Sequence, residues 1–321
     1  MVFRASALAA PFGKGDGDSS VVLRFGGDCL LAGHFENAAG DSVGLPFTGF
    51  DLLRDADIAM VNLECPITTR GVKVQKPYNF RMHPKYIASL EIAGIDIVNI
   101  ANNHIFDYGN EGLFDTILYL DSARVLHVGG GRDRAEARRP IVAMIKGRKI
   151  GFVGYYGGGE APVAGENSPG VAVRSIQVIL DDIRVLRQRD SVDFVVVTLH
   201  WGTEKAEFPD EGQKRFARAV IDGGADAVIG HHPHVLQGIE RYKSGVIVYS
   251  LGNFVFGGID RASYDTGLFE IKIVRQTTTY TFLPVGVRHW NVRALHGTEA
   301  ERVLDVIRTR SSPFPNTIFT N

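Results

Sequence analysis

Short apolar runs rich in β-branched residues alternate along this chain with stretches of helical spacing. Residues 21–25, 58–61, 95–100, 125–128, 194–199 and 246–251 read as strands. The run 194–199 is apolar without interruption, as in a strand buried on both faces. Helices are predicted over 50–57, 86–93, 111–120, 176–187 and 211–222, the fourth from Ile176, Ile179, Leu180, Ile183 and Leu186. Residues 141–145 and 149–155 read as a hairpin around Gly147. After residue 256 the pattern changes: 268–274, 279–283 and 285–292 look like antiparallel strands, and 298–308 like a final helix. With no internal repeat and no break in composition, the expected organisation is a flexible leader over 1–20, one α/β domain over 21–292, and a C-terminal helix and tail over 293–321.

Composition narrows the function classes. The chain has 321 residues, 45% of them hydrophobic, enough for a large core. A formal net charge of -1 gives no broad attraction to nucleic acid or an anionic membrane, so no nucleic-acid partner is expected. No apolar run approaches the roughly 20 residues that span a bilayer, and residues 1–11 are short for a secretory signal, so a cytoplasmic location is expected. Cys29 and Cys65 are too few for a disulfide framework and read as reduced and structural.

The candidate chemistry lies where predicted strands end. Gly26 and Gly27 lead into Asp28, and the second strand exits at Glu64 before Pro66. The third runs into Asn102, Asn103 and His104, and the strand over 194–199 ends at His200. Ile229-Gly230-His231-His232-Pro233-His234 follows another apolar run; extended backbone there puts His232 and His234 on one side and His231 on the other. Each has a bland reading: Asp28 as a cap or turn residue, Glu64 as a surface glutamate, Asn102 or Asn103 as a cap on the following helix, the histidines as a surface loop. Seven residues after strands, Asp28, Glu64, Asn103, His104, His200, His232 and His234, are harder to dismiss than one, because ligands bind outside the carboxyl ends of strands in open α/β sheets. Carboxylate, amide and imidazole donors suit manganese, iron or zinc. Two further features stand out. Residues 157–170 form a glycine-rich loop without a Walker-type lysine, either a flap or a plain surface loop, and Lys73, Lys76, Arg81 and Lys85 form a basic cluster.

The runs GGDCLL, NLECPIT, ANNHIFDYG, HWGTE, GADAVIGHHPHVLQGIE and YSLGNFVF, in order over about residues 23–256, resemble those of CapA-type poly-gamma-glutamate capsule biosynthesis proteins. That family is related to the calcineurin-like metallophosphoesterases. The resemblance implies a four-layer α/β/β/α sandwich and a site for two divalent metal ions. Asp28 would bind the first metal, Glu64 would bridge, Asn103 and His200 would bind the second with His232 beside them, and His234 would complete the first. His104 would be the proton donor or transition-state stabiliser. The broader phosphoesterases place a histidine two positions after the first aspartate; here Leu30 stands there, and His34 is the nearest substitute. The implied function is a metal-dependent hydrolase for a phosphoester or a polyglutamate-like anionic substrate. The alternatives are a γ-glutamyl amide hydrolase on the same site, or a metal-stabilised binding or assembly factor for an anionic polymer.

Overall fold

The computed structural model describes residues 20–319, so all of the expected leader except Ser20 lies outside the described residues. The first half of the chain contributes strands β1 (Val21–Leu30), β2 (Ile58–Leu63), β3 (Ile97–Asn99), β4 (Leu126–Val128), β5 (Gly130–Gly131), β6 (Ile141–Ile145), β7 (Arg148–Tyr156) and β8 (Gly170–Val171). The second half adds β9 (Phe194–His200), β10 (Ala227–His231), β11 (Ile239–Tyr242), β12 (Gly245–Val248), β13 (Asn253–Phe256), β14 (Tyr264–Val274), β15 (Thr277–Arg288) and β16 (Asn291–Ala294). The helices are α1 (His34–Ala39), α2 (Ile87–Ala93), α3 (Gly109–Ser122), α4 (Arg134–Ala137), α5 (Ile176–Gln188), α6 (Glu211–Asp222) and α7 (Gly297–Ser311).

Alternation along the strands generates the layers. One sheet has the order β16-β15-β14-β1-β2-β3-β4 with β13 also on β1; the other has the order β11-β12-β10-β9-β7-β6. Leu23, Phe25, Ile58 and Met60 of the first sheet pack against Phe152, Val196, Ile229 and Val248 of the second, forming the central core. The intervening positions point outward. Val61, Leu63 and Val98 meet Leu90, Leu113 and Ile117 from α2 and α3, while Val195, Val197 and Val228 meet Ile179, Ile183, Ala217 and Val220 from α5 and α6. A strand covered on both faces must be apolar at every position, which is why residues 194–199 show no alternation. The result is the α/β/β/α sandwich. Helix α7 joins it through Val303 and Ile307, which enter the central core. No helix among the described residues is long and apolar enough to cross a membrane.

Two expected elements differ. Residues 50–57 form turns instead of a helix, although Phe50 and Leu53 are buried. Eight residues nucleate a helix poorly, and Asp57 is drawn to the start of β1, where it accepts from the Val22 amide (2.9 Å) and pairs with Lys146. The strands expected over 279–283 and 285–292 are not separate at Pro284. β15 runs through Pro284, opposite Gly267 of β14, and the chain reverses at His289 and Trp290, both with positive φ.

Strand register positions the chemistry. Asp28 of β1 is level with Asn62 of β2 and Asn253 of β13, and Asn62 is level with Asn99 of β3. In the other sheet, His200 is level with Tyr156 and His231. Both rows end at the same rim of the sandwich.

Candidate metal centre

Close backbone packing brings the rim together. A Cβ on Gly27 would lie 2.0 Å from the Gly252 carbonyl oxygen, and one on Gly230 2.0 Å from the Tyr249 carbonyl oxygen. The glycines before Asp28 and His231 therefore let β1 and β10 sit against their neighbours with no side chain between.

Asp28 is fully buried. Its Oδ1 accepts from Asn62 Nδ2 (2.9 Å), its Oδ2 accepts from the His232 amide (3.2 Å), and His234 Nδ1 stands 3.3 Å from Oδ2. Burial alone would raise its pKa, but His231 and His234 together hold the carboxyl well below its usual range. Glu64 is equally buried and behaves oppositely. Burial, followed by the nearby Asp28 charge, pushes its carboxyl well above the ordinary value. Its Oε2 accepts from Asn62 Nδ2 (3.2 Å), while Oε1 has no hydrogen-bond partner among the described residues. That oxygen lies 3.7 Å from His200 Nε2 and 3.6 Å from His234 Nε2.

The histidines are tuned by the same packing. Burial, then the neighbouring His232, drives the His200 pKa well down; burial, then His234, lowers that of His232. Burial opposes charge on His234 as well, yet the Asp28 contact leaves its pKa raised. His200 Nε2 is 2.9 Å from Asn103 Oδ1, and the His200 and His232 rings are 4.7 Å apart. His234 Nδ1 is 2.9 Å from Asn253 Oδ1, and its ring packs on Phe256.

Ligand atoms of Asp28, Glu64 and His200 lie within 4.8 Å of one another, as do those of Glu64, His232 and His234. Glu64 belongs to both groups. The resemblance pairs His200 with Asn103, whereas this clustering also pairs it with Asp28. A buried carboxylate oxygen without a donor among the described residues, set among the imidazoles of His200, His232 and His234 and the carboxylate of Asp28, fits a divalent cation. Manganese, iron and zinc all match this donor set.

His104 stands apart from the ligand groups. Its Nδ1 is 2.8 Å from Asp107 Oδ2, and its ring packs against Phe80 at 4.8 Å between centroids. Asp107 is buried, accepts from the Phe80 amide (2.6 Å) and pairs with Lys76 Nζ (2.5 Å). Lys76 also donates to the Asn103 carbonyl (2.7 Å).

The structure brings Asp28, Glu64, Asn103, His104, His200, His232 and His234 to one rim, and it revises several details. The His-rich run is not extended: His232 and His234 have φ of 97° and 58°, and His231 does not face away but is buried with Nδ1 3.5 Å from Asp28 Oδ1. His34 does not substitute at the Leu30 position; it opens α1, exposed, 3.9 Å from Asp260, while Leu30 is buried among apolar side chains. Neither Asn102 nor Asn103 caps α3, which begins at Gly109 after Tyr108. Asn102 instead donates to the Leu63 carbonyl (2.8 Å). The basic cluster splits: Lys76 serves the site, Lys85 pairs with Asp41, and Arg81 lies over the Tyr108 ring.

Asn62, Asp107 and Asn253 were not foreseen as site residues. Asn62 is two positions before Glu64 and so shares its face of β2, a signal present in the sequence. Asn99 Nδ2 donates to Asn62 Oδ1 (2.9 Å), which turns the Asn62 amide nitrogen toward both carboxylates.

Two facing sheets with carboxylates and imidazoles gathered at one rim make an α/β/β/α sandwich with a candidate metal centre, and a solved structure shares this fold. The structure of Haemophilus influenzae NAD nucleotidase matches with a TM-score of 0.52 at 12% identity, over 90% of this chain and 56% of that one. More specifically, the chain belongs to the bacterial capsule synthesis protein PGA_cap family, whose pattern matches residues 22–258. It is 34% identical to capsule biosynthesis protein CapA of Bacillus anthracis over 64% of this chain and 51% of that protein. Identity to PGA biosynthesis protein CapA of Bacillus subtilis is 32%, over 71% and 60%. The chain thus spans between half and three-fifths of the length of these relatives. A probable polyglutamine synthesis accessory protein of Mycobacterium tuberculosis is 29% identical over 80% of this chain and 73% of its own length.

Proposed function

We propose that this chain is a metal-dependent hydrolase that holds two divalent cations on Asp28, Glu64, Asn103, His200, His232 and His234 and acts on a phosphoester. The observation that carries this reading is the buried Glu64 Oε1, without a donor and shared by two groups of potential ligands. Bound cations of this kind supply a hydroxide nucleophile at neutral pH and offset charge on the phosphoryl oxygens. The protein's own part is positioning and proton transfer. Asn62 orients Asp28 and Glu64, and the low pKa of Asp28 keeps it ionised. Asp107 engages Nδ1–H of His104, so the ring in its doubly protonated form has Nε2–H free to deliver a proton to the leaving oxygen. Phe80 covers one face of that ring.

The test is metal content by elemental analysis before and after incubation with manganese, in the wild type and in Glu64→Ala and His232→Ala. Hydrolysis of 4-nitrophenyl phosphate, bis(4-nitrophenyl) phosphate and γ-glutamyl 4-nitroanilide is then assayed. Two equivalents of metal, reduced in both variants, with phosphoester turnover lost in His104→Ala, support the proposal. Turnover of the anilide alone assigns the site to a γ-glutamyl amide. Absence of metal uptake sinks the catalytic reading. The names of the relatives motivate a second reading, a metal-stabilised binding or assembly factor for polyglutamate. Full metal loading with no turnover of any of these compounds favours it.

A further inference from the structure

A cleft of about 350 Å³ opens beside the metal-ligand cluster, with Tyr156, Arg174, Trp201, Gly202, Gln213 and His232 in its wall. Arg174 is half-buried and makes no ion pair among the described residues, and Asp210 is the one acid whose charge reaches it. Its guanidinium lies over the rings of Trp201 and Phe216, at 5.8 and 5.3 Å from their centroids. Burial lowers its pKa, as expected for a cation held out of water without a matching carboxylate. The backbone is shaped for this arm. A Cβ on Gly157 would lie 2.5 Å from Arg174 Nε, so the first glycine of the Gly157-Gly158-Gly159 run leaves space for the side chain.

A second donor lies in the same wall. Gln213 is 4% exposed, and its Oε1 accepts from the Asp210 amide (3.1 Å), closing the cap of α6. That bond fixes which way the amide points. Nε2 is then left without an acceptor among the described residues. Gly202, with φ of 90°, makes room for it: a Cβ there would lie 2.6 Å from Nε2. Buried donors without acceptors are rare in native structures. Here a buried neutral donor of this kind and a half-buried charged side chain share a single cleft next to His232.

We propose that this cleft is a substrate subsite for a carboxylate, with the Arg174 guanidinium as its charged donor and the Gln213 amide as its neutral donor. The charge balance selects the ligand. Arg174 and Asp210 both line the cleft, so a single added negative charge is accommodated more readily than the two of a dianionic phosphate. A planar guanidinium also matches the two coplanar oxygens of a carboxylate. The inference deepens the proposed function and rests on it: the compound acted on at the metal-ligand cluster carries a free carboxylate beside the bond attacked.

Trp201 lies under Arg174, so its fluorescence reports occupancy of the cleft. The full chain, treated with EDTA, is titrated with glutarate, with its neutral counterpart glutaramide, and with inorganic phosphate. Saturable quenching by glutarate and none by glutaramide is expected. Arg174→Gln weakens glutarate binding by about tenfold or more, the usual weight of a charge-assisted bond. Arg174→Lys restores part of it. Gln213→Glu keeps the capping oxygen but replaces the free donor with a negative oxygen, and weakens binding to a similar extent. Thermal unfolding of each variant checks that the fold is retained. Equal glutarate binding in the wild type and Arg174→Gln overturns the subsite, as does Arg174-dependent binding of phosphate in preference to glutarate. Because these titrations need neither metal nor turnover, they separate the two readings. Loss of the hydrolase reading with Arg174-dependent binding intact leaves the carboxylate site standing, and phosphoester turnover with no Arg174-dependent binding overturns the subsite alone.

Discussion

Asp107 Oδ2 lies 2.8 Å from Nδ1 of His104, and both side chains are buried. The carboxylate only accepts, so Nδ1 carries a proton and the ring orientation is set; as a proton donor the ring carries a second proton on Nε2. If His104 is the proton donor, His104→Ala lowers kcat by about 10²- to 10⁴-fold. Metal content stays unchanged, because His104 belongs to neither ligand group. Asp107→Asn lowers kcat by a smaller factor and shifts the pH–rate profile, since the ring loses the carboxylate that orients it and faces its Nδ1–H. Steady-state kinetics with parallel elemental analysis check both.

Metal should stabilise the fold through Glu64. A ligand that binds only the native state adds about 2.7 kcal/mol at a concentration 100 times its Kd. Manganese therefore raises the melting temperature of the EDTA-treated wild type and leaves that of Glu64→Ala nearly unchanged. Calorimetric scans with and without manganese decide this; an equal rise in both proteins removes Glu64 from the ligand set.

Gly230→Ala would set a methyl group 2.0 Å from the Tyr249 carbonyl oxygen, backbone against backbone. Relief requires β10 to shift, which moves His231 and His232. A loss of about 3 kcal/mol is expected, together with reduced metal uptake, measurable by urea unfolding and elemental analysis.

Away from the site, Asp115 anchors Arg70 and accepts from Thr68 Oγ1. The Arg70 bond holds the Asp115 pKa below its ordinary value. A depressed carboxyl contributes stability that is present above its unfolded pKa, about 3.9, and is lost as pH falls through the folded value. Arg70 is two-thirds exposed, so solvent screening limits the contribution to about 1 kcal/mol. Asp115→Asn is expected to be less stable by that amount at pH 7, with the difference closing below pH 4 in urea titrations.

Cys29 and Cys65 are both fully buried and free. Burial pushes the Cys29 thiol up to about 12. Native protein should resist thiol reagents at pH 8 and release two equivalents on unfolding. Rapid labelling of the native state would contradict the packing around Leu30 and Leu63.

The sequence by itself determined the strands and most of the helices, because burial on one or both faces imposes a periodicity that survives in the residue pattern. It also carried the candidate ligands. Asp28, Glu64, His200 and the histidines after β10 all end apolar runs, and a strand delivers its last side chain to the rim whatever surrounds it. Tertiary structure decided the rest. Residues 50–57 have helical composition, but Asp57 bonds to the start of β1, and that contact lies 35 positions away in the chain. His231 turned inward because β10 ends level with β9 and positive φ at His232 breaks the alternation assumed for an extended run. Asn62, Asp107 and Asn253 gained their roles from register and from hydrogen bonds to residues on other elements. That Arg174 makes no ion pair among the described residues is visible only once its surroundings are assembled, since such a gap is a property of the packed space and not of the sequence.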